Sequence, residues 1–412
     1  MERSKMKKKR IVTIVLVSVL LMACQRTDAN KNISGAIEKT QQKSDAAEQE
    51  KGYDLPIAED KRTDAIEECK TIMQSVQDIY EGFDKSSDTY NDDTKQMMDK
   101  MKSVIGQTGN PVIASNPYSV MENYTKLDTF LKEASSGIEG NVVLYEVDFD
   151  GGITSKAYTY DGTDMYVLET KMSWNEKENP VLTYITNTRM EQWTYTDRGN
   201  FCYKVCVPEP PEVTEIMDGS YIIRIQPLSE ECRSYSEKYV APLGYRGNNL
   251  LRSNWDSASM QDLDYNGVFE YFYQMKYGEP YSGQEESSKC PAEEFEEVIM
   301  TYLPVTAEQL RRWAVYDEND ATYSWQRLGC VNYTPTHFDH SIPEVVAVTH
   351  NSDGTDTLTI NAVCSSVICN DAVITHTLTI KLQENGAVQY LGNQMKQEEI
   401  DTLPQYQYRI RN

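Results

Sequence analysis

The sequence predicts an α+β protein in which helices come first, an antiparallel β meander follows, and a second helix-plus-antiparallel-sheet domain completes the chain. Two observations lead to this prediction. Apolar residues recur at helical spacing between residues 59 and 136, whereas from residue 141 onward many short segments alternate apolar and polar residues. Helices that are separate in sequence from strands joined by short polar turns are typical of the α+β class.

Length and charge restrict the possible functions. The chain has 412 residues and a formal net charge of -24, and this length corresponds to two or three domains. Phosphate recognition requires clustered Lys and Arg, so an excess of acidic residues argues against binding of nucleic acid. We therefore expect no nucleic-acid partner.

Residues 1–23 have the features of a secretory signal peptide, because basic residues precede an apolar run that is too short to span a bilayer. The segment Leu21-Met22-Ala23-Cys24 resembles the lipobox of bacterial lipoproteins. This resemblance implies cleavage after Ala23 and diacylglycerol on the Cys24 sulfur. The protein would then be anchored by lipid to the extracytoplasmic face of the cell membrane. A plain secretory signal with an incidental Cys24 is the alternative.

Residues 24–58 are rich in polar and charged side chains, which predicts a disordered tether. The segment 59–136 is predicted to be helical. Its three helices are expected to pack on one another or on the following sheet, and a coiled-coil partner surface is the alternative. The first has a stripe from Ile66 to Phe83, the second runs from Asp92 to Ile105, and the third begins with Asn116 as its cap and Pro117 in its first turn.

Residues 140–230 are predicted to form the antiparallel meander, since apolar residues alternate there and turns such as Asp161-Gly162 separate the segments. The predicted strands are 142–147, 155–160, 165–174, 181–188, 192–196, 201–207 and 221–225. A region of linking loops is expected over residues 226–261.

Residues 262–412 are predicted to form the second α+β domain. Helical spacing is present over 268–275 and 291–302, and Thr306 and Gln309 have the spacing of a capping box that opens a third helix. Strands are expected at 322–331, 345–349, 355–363, 372–380 and 387–391.

The segment Asp262–Glu270 is the most specific internal motif. It resembles the calcium loops of EF-hand and dockerin proteins, which supply oxygen ligands from alternate positions and turn at a glycine. The implied ligands are Asp262, Asp264, Asn266, the Val268 carbonyl and Glu270. Tyr273 stands where an EF-hand has its bidentate Glu, which favours a shorter loop type. An acidic capping turn before the next helix is the alternative.

Eight further cysteines suggest disulfides, because their number is even and the protein is predicted to be exported. A zinc site has the wrong ligand spacing, and buried free thiols are the remaining alternative. The eight candidates are Cys69, Cys202, Cys206, Cys232, Cys290, Cys330, Cys364 and Cys369.

The body of the chain, including the stretch 264–275, is similar to lipoproteins of Gram-positive anaerobes that carry only a domain-of-unknown-function label. This similarity implies no activity. The sequence contains no HExxH, Gly-x-Ser-x-Gly, P-loop or GxGxxG motif. It therefore favours a non-enzymatic lipoprotein that binds a glycan, lipid or protein ligand, using aromatic side chains on the first sheet. An extracytoplasmic hydrolase acting on cell-wall or glycan material is the alternative.

Overall fold

Helices and antiparallel sheets occupy different stretches of the chain, which confirms the α+β prediction. The computed structural model describes residues 51–85, 91–283, 289–329, 332–364, 372–384 and 386–410. The signal peptide, Cys24 and most of the predicted tether lie outside these residues. The described residues all belong to one compact unit that spans Glu48–Asn412.

Four helices precede or interrupt the start of the first sheet. The predicted stripe from Ile66 to Phe83 forms two helices instead of one, because the helical backbone is broken at Ser75 and Val76. Val76 is nevertheless fully buried, so the stripe still faces the core. The helices are α1 (Glu59–Gln74), α2 (Gln77–Glu81), α3 (Asp92–Gly106) and α4 (Tyr124–Ser135).

The helix expected to start at Pro117 begins instead at Tyr124. Pro117 belongs to a turn, and the next residue, Tyr118, has a left-handed backbone with φ 64°. A helix cannot continue through such a residue. The Tyr118 hydroxyl donates to the carbonyl of Pro343 at 2.5 Å, so this loop reaches the second half of the chain.

The first sheet has seven strands in the order of the sequence. The first pair is parallel and the others are antiparallel, which agrees with the predicted meander. Two predicted strands, 181–188 and 192–196, form one strand of 16 residues with a bulge between Met190 and Gln192. The strands are β1 (Val112–Ala114), β2 (Gly140–Val147), β3 (Ile153–Tyr160), β4 (Met165–Trp174), β5 (Pro180–Tyr195), β6 (Asn200–Val205) and β7 (Ser220–Arg224).

Helices cover the first sheet in two places. Buried side chains of α1 and α3, among them Met73 and Met101, pack on Val147 and Ile153 of the sheet. A second cluster brings Leu131 of α4 together with other strands of the sheet. These contacts confirm the prediction that the helices pack on the sheet, in preference to the alternative of a coiled-coil partner surface.

The second half of the chain carries two further antiparallel sheets, ordered β8-β10-β9 and β11-β12-β13-β14. Its helices are α5 (Glu230–Tyr235), α6 (Tyr265–Tyr277), α7 (Ala292–Tyr302), α8 (Ala307–Trp313) and α9 (Gln397–Ile400). Its strands are β8 (Lys289–Pro291), β9 (Tyr316–Asp317), β10 (Thr322–Ser324), β11 (Ile342–His350), β12 (Asp356–Val363), β13 (Ala372–Leu382) and β14 (Val388–Gln394).

Residues of the predicted linking loops at 226–261 are part of the second core. Trp255 is fully buried, and its indole N–H donates to the carbonyl of Leu250 at 2.7 Å. Its backbone pairs with Asn393 of β14. The segment has little regular structure of its own. Contacts of its individual apolar residues with the core hold it in place.

A buried polar network lies in the same core. The Tyr245 hydroxyl lies 2.8 Å from Nε2 of His376, and Nδ1 of His376 lies 2.6 Å from Oδ1 of Asn393. Burial lowers the pKa of His376 to about 4, so the imidazole is neutral at neutral pH. The neutral ring accepts from Tyr245 and donates to Asn393, which satisfies both of its nitrogens.

The end of the predicted tether differs from the expectation of disorder. The backbone N–H of Arg189 donates to Gly52 at 2.7 Å, and that of Leu55 donates to Asn187 at 2.9 Å. This part of β5 pairs with β4 on one side only, because β6 begins its pairing at Met190. Residues 52–55 therefore occupy an edge of β5 that would otherwise be unpaired.

Candidate functional site

The five residues expected to bind calcium do not form a loop of alternating ligands. Asp264 caps α6, and its carboxylate accepts from the Gly267 N–H at 3.0 Å and from the Tyr406 hydroxyl at 2.6 Å. Asn266 and Val268 lie within the helix. Asp264 thus has the position that an acidic capping turn before the helix requires.

The other residues of this motif have separate surroundings. The Glu270 carboxylate accepts from the Arg409 guanidinium at 2.7 Å. A Cβ on Gly267 would lie 2.5 Å from the carbonyl oxygen of Gly247, so this glycine permits close packing in place of a loop turn. Within the described ranges no group of three or more His, Cys, Asp or Glu side chains is placed to hold a metal ion. Calcium binding stays a prediction.

The predicted disulfides are absent from the part of the chain that the structure describes. Cys69 is buried, and its thiol lies 3.8 Å from the carbonyl oxygen of Ile153. Burial raises the pKa of the thiols of Cys69 and Cys290 to about 12, which makes both unreactive. The described cysteines are Cys69, Cys202, Cys206, Cys232, Cys290 and Cys364, and the candidates Cys330 and Cys369 lie outside the described residues.

Two aromatic side chains of the first sheet contact the helices that cover it. Trp174 stacks on Tyr80 of α2 with ring centroids 4.6 Å apart. The Tyr195 hydroxyl donates to Asp128 of α4 at 2.6 Å. These two aromatic residues hold helices onto the sheet.

A cleft of about 360 Å³ lies between the first sheet and the beginning of β11. Strands β1 and β7, the first and last in the sheet order, both line it. The sheet therefore curls until its two edge strands face the same space. The walls are mainly aliphatic, and their apolar members include Ile113, Met121, Ile222, Ile225, Leu228 and Ile342.

Two ion pairs include carboxylates that line this cleft. Nε of Arg224 donates to Oε1 of Glu344 at 2.9 Å, and a second hydrogen bond joins their other ends. The ammonium of Lys156 donates to Oε2 of Glu146 at 2.7 Å. Although burial opposes the charge of Lys156, the neighbouring Tyr203 and Glu146 raise its pKa above the ordinary value. This amine is therefore held protonated and is unsuited to act as a nucleophile.

Arg233 supplies a positive charge that these pairs do not neutralise. It lies on α5 and lines both the cleft and a second cavity of about 450 Å³ on the other side of the Tyr118 loop. Its Nε is buried without a hydrogen-bond partner, and the guanidinium forms no ion pair with any residue that the structure describes. The residue as a whole is half-buried, and its buried Nε is a polar atom that is costly to leave unpaired.

This arrangement is suited to binding. The Glu146 and Glu344 carboxylates that line the cleft are each occupied by a cation, whereas Arg233 is available to accept an anion. Aliphatic walls with one convergent charged group are typical of a small-molecule site.

Sequence analysis did not identify this site. Ile113, Ile222 and Ile342 are separated by more than a hundred residues from each other, and they meet only because the sheet curls. Arg233 follows two glutamates in a short helix, and such a pattern is typical of a solvent-exposed surface. No local spacing indicates that its Nε is buried.

Comparison with known proteins is consistent with the architecture described above. Residues 62–409 match Family of unknown function (DUF6070), so the chain belongs to this family. The matched region contains all of the sheets and the whole lining of the cleft. No curated protein and no solved structure matches the chain.

Proposed function

We propose that this protein is a lipid-anchored lipoprotein on the extracytoplasmic face of the membrane, and that it binds an amphipathic anion in the cleft without converting it. The observation that carries the proposal is the unpaired guanidinium of Arg233 in a cleft with aliphatic walls. A ligand with an apolar body and one anionic group would cover the walls and pair with Arg233.

The overall charge makes this site more selective. The chain has a formal net charge of -24, so most of its surface repels anions. The two carboxylates that line the cleft, Glu146 and Glu344, are each paired with a cation, which leaves Arg233 as a lining cation that they do not neutralise. An anion is therefore expected to bind at this place in preference to the surrounding surface.

We expect dodecanoate to bind with an affinity about tenfold higher than that of dodecanol, because only the carboxylate pairs with a guanidinium. Arg233→Gln should reduce the affinity for dodecanoate about tenfold and leave dodecanol unaffected. Isothermal titration of the purified protein measures both ligands.

Arg312→Gln is the matched control, since Arg312 is exposed and pairs with Glu308 far from the cleft lining. It should bind both ligands as the wild type does. Equal affinity of wild type and Arg233→Gln for dodecanoate would contradict the proposed role of Arg233. Failure of both ligands to bind would contradict an amphipathic ligand altogether.

The lipid anchor is supported by the spacing of Leu21, Ala23 and Cys24 after an apolar run. None of the described helices is long and apolar enough to cross a bilayer. Two acyl chains suffice for a stable anchor.

We expect Cys24→Ser to abolish lipid attachment and cleavage after Ala23, so that the variant migrates more slowly than the processed wild type. Metabolic labelling with palmitate and fractionation of cells expressing each form measure both effects. Cys69→Ser is the control and should be labelled normally. Palmitate incorporation into the Cys24→Ser variant would show that the lipobox interpretation is wrong.

A further inference from the structure

A third cavity, of about 240 Å³, lies beside the N-terminus of α6 and is separate from the cleft. Asp262, Asp264 and Asn266 line it, together with Trp313 and Ser324. Three of the five residues singled out in the sequence as oxygen ligands therefore share one wall. This cavity has no part in the binding of an anion proposed above.

Asn266 is the unusual group in this wall. Its residue is only 7% exposed, and neither Oδ1 nor Nδ2 of its side chain has a hydrogen-bond partner within the described chain. Burying an amide without partners costs about 1–3 kcal/mol. Native proteins rarely keep such a group unless something that is bound supplies the missing hydrogen bonds.

The chemistry of the missing partner follows from the two unfilled positions. Oδ1 requires a donor and Nδ2 requires an acceptor. A metal ion would satisfy Oδ1 and leave Nδ2 unpaired, whereas adjacent hydroxyl groups donate to one atom and accept from the other. No Lys, Arg or His lines this cavity, and the two aspartates there disfavour an anion.

Aromatic side chains supply a complementary apolar surface. Trp313 is half-buried in the cavity wall, and its ring lies nearly parallel to that of Tyr265, with an angle of 20° between the planes and centroids 6.4 Å apart. Such a ring presents a flat apolar face beside polar groups. The volume is below the roughly 300–1,000 Å³ of pockets for drug-sized ligands, which restricts the ligand to a small molecule.

We propose that this cavity binds a small neutral hydroxylated ligand of the sugar or polyol class, with Asn266 as its central hydrogen-bonding group. Hydroxyls of the ligand pair with the amide, the Asp262 carboxylate accepts a further hydroxyl, and Trp313 packs against the carbon face. The proposal does not depend on the function assigned to the cleft.

The test uses glucose and N-acetylglucosamine as probes, each added at millimolar concentration to the whole protein. We expect saturation-transfer NMR to detect binding of at least one of them. Asn266→Leu removes the amide and keeps a similar side-chain volume, and it should abolish the signal. Trp313→Leu removes the aromatic face and leaves the Asn266 amide in place, and it should also abolish the signal. Both variants should still bind dodecanoate like the wild type if the cleft has the function proposed for it.

Thermal unfolding of the unliganded variants separates a ligand-binding amide from a structural one. Asn266→Leu should raise the melting temperature, because it removes an unsatisfied buried amide. Asn248→Leu is the matched control and should lower it, since both ends of the buried Asn248 amide are hydrogen-bonded.

Three outcomes would overturn the proposal. The first is that neither sugar binds, which would leave only water to fill the cavity. The second is that Asn266→Leu binds sugar as the wild type does, or is destabilised as Asn248→Leu is. The third is stabilisation by calcium chloride and by neither sugar, which would favour the calcium hypothesis instead.

Discussion

Arg409→Met is expected to lower the free energy of unfolding by about 3 kcal/mol, because it removes a buried cation and leaves the partly buried Glu270 carboxylate without its partner. The Arg409 side chain is fully buried and pairs with Glu270 at 2.7 Å. Its guanidinium also donates to the carbonyl oxygens of Gln326 at 3.0 Å, Gly247 at 3.1 Å and Gly267 at 3.2 Å. One side chain thus joins α6 to two loops.

Urea unfolding of both proteins measures this loss. Arg312→Met is the control, since Arg312 is exposed, and its effect should lie within about 0.5 kcal/mol. The double variant Arg409→Met/Glu270→Met should recover part of the loss, because it also removes the uncompensated charge. A change below about 1 kcal/mol in Arg409→Met would show that the ion pair contributes little.

Acidification is expected to destabilise the protein through His376. Its pKa in the folded protein is about 4, against 6.5 for an exposed imidazole. Between these values the unfolded chain binds a proton that the folded chain does not bind. The contribution of His376 is therefore complete above pH 6.5 and is lost as the pH falls toward 4, by about 3 kcal/mol in total.

The measurement compares the unfolding free energy of wild type and His376→Gln from pH 7 to pH 4. Carboxylates titrate in the same range, so the informative quantity is the difference between the two proteins. The difference should shrink as the pH falls, since only the wild type loses the contribution of the neutral ring. His340→Gln, at an exposed position, should keep the wild-type slope. A difference that does not change with pH would contradict the role assigned to His376.

Local pattern predicts the elements of this fold well. Local pattern predicts β2 to β4 to within two residues at each end, and β4 buries alternate residues over much of its length as the pattern indicates. The capping box before α8 is formed as expected, with Gln309 N–H donating to Thr306 at 3.2 Å and Thr306 N–H donating to Gln309 at 2.8 Å. Signals of this kind act within a few residues, so they can be identified without tertiary information.

The errors arise where tertiary contacts override the local signal. Pro117 and its neighbours have the composition of a helix start, but Tyr118 is drawn toward Pro343 and the helix is delayed. Trp255 lies in a segment rich in turn residues, and its burial depends on pairing with β14. The spacing of Asp264 and Asn266 predicts neighbouring polar side chains, and both residues line one cavity.

The pairing of residues 52–55 with β5 has a mechanical consequence. A force that pulls the chain from the N-terminal side of Gly52 is borne first by the hydrogen bonds to Arg189 and Asn187. The force is then transmitted to β5, which is paired with β4 and β6 and distributes the force over the sheet. Helix α1 follows this attachment in the chain, so it carries no tension until these bonds yield. Tension arriving from that direction is therefore borne by β5 before it can reach the helices.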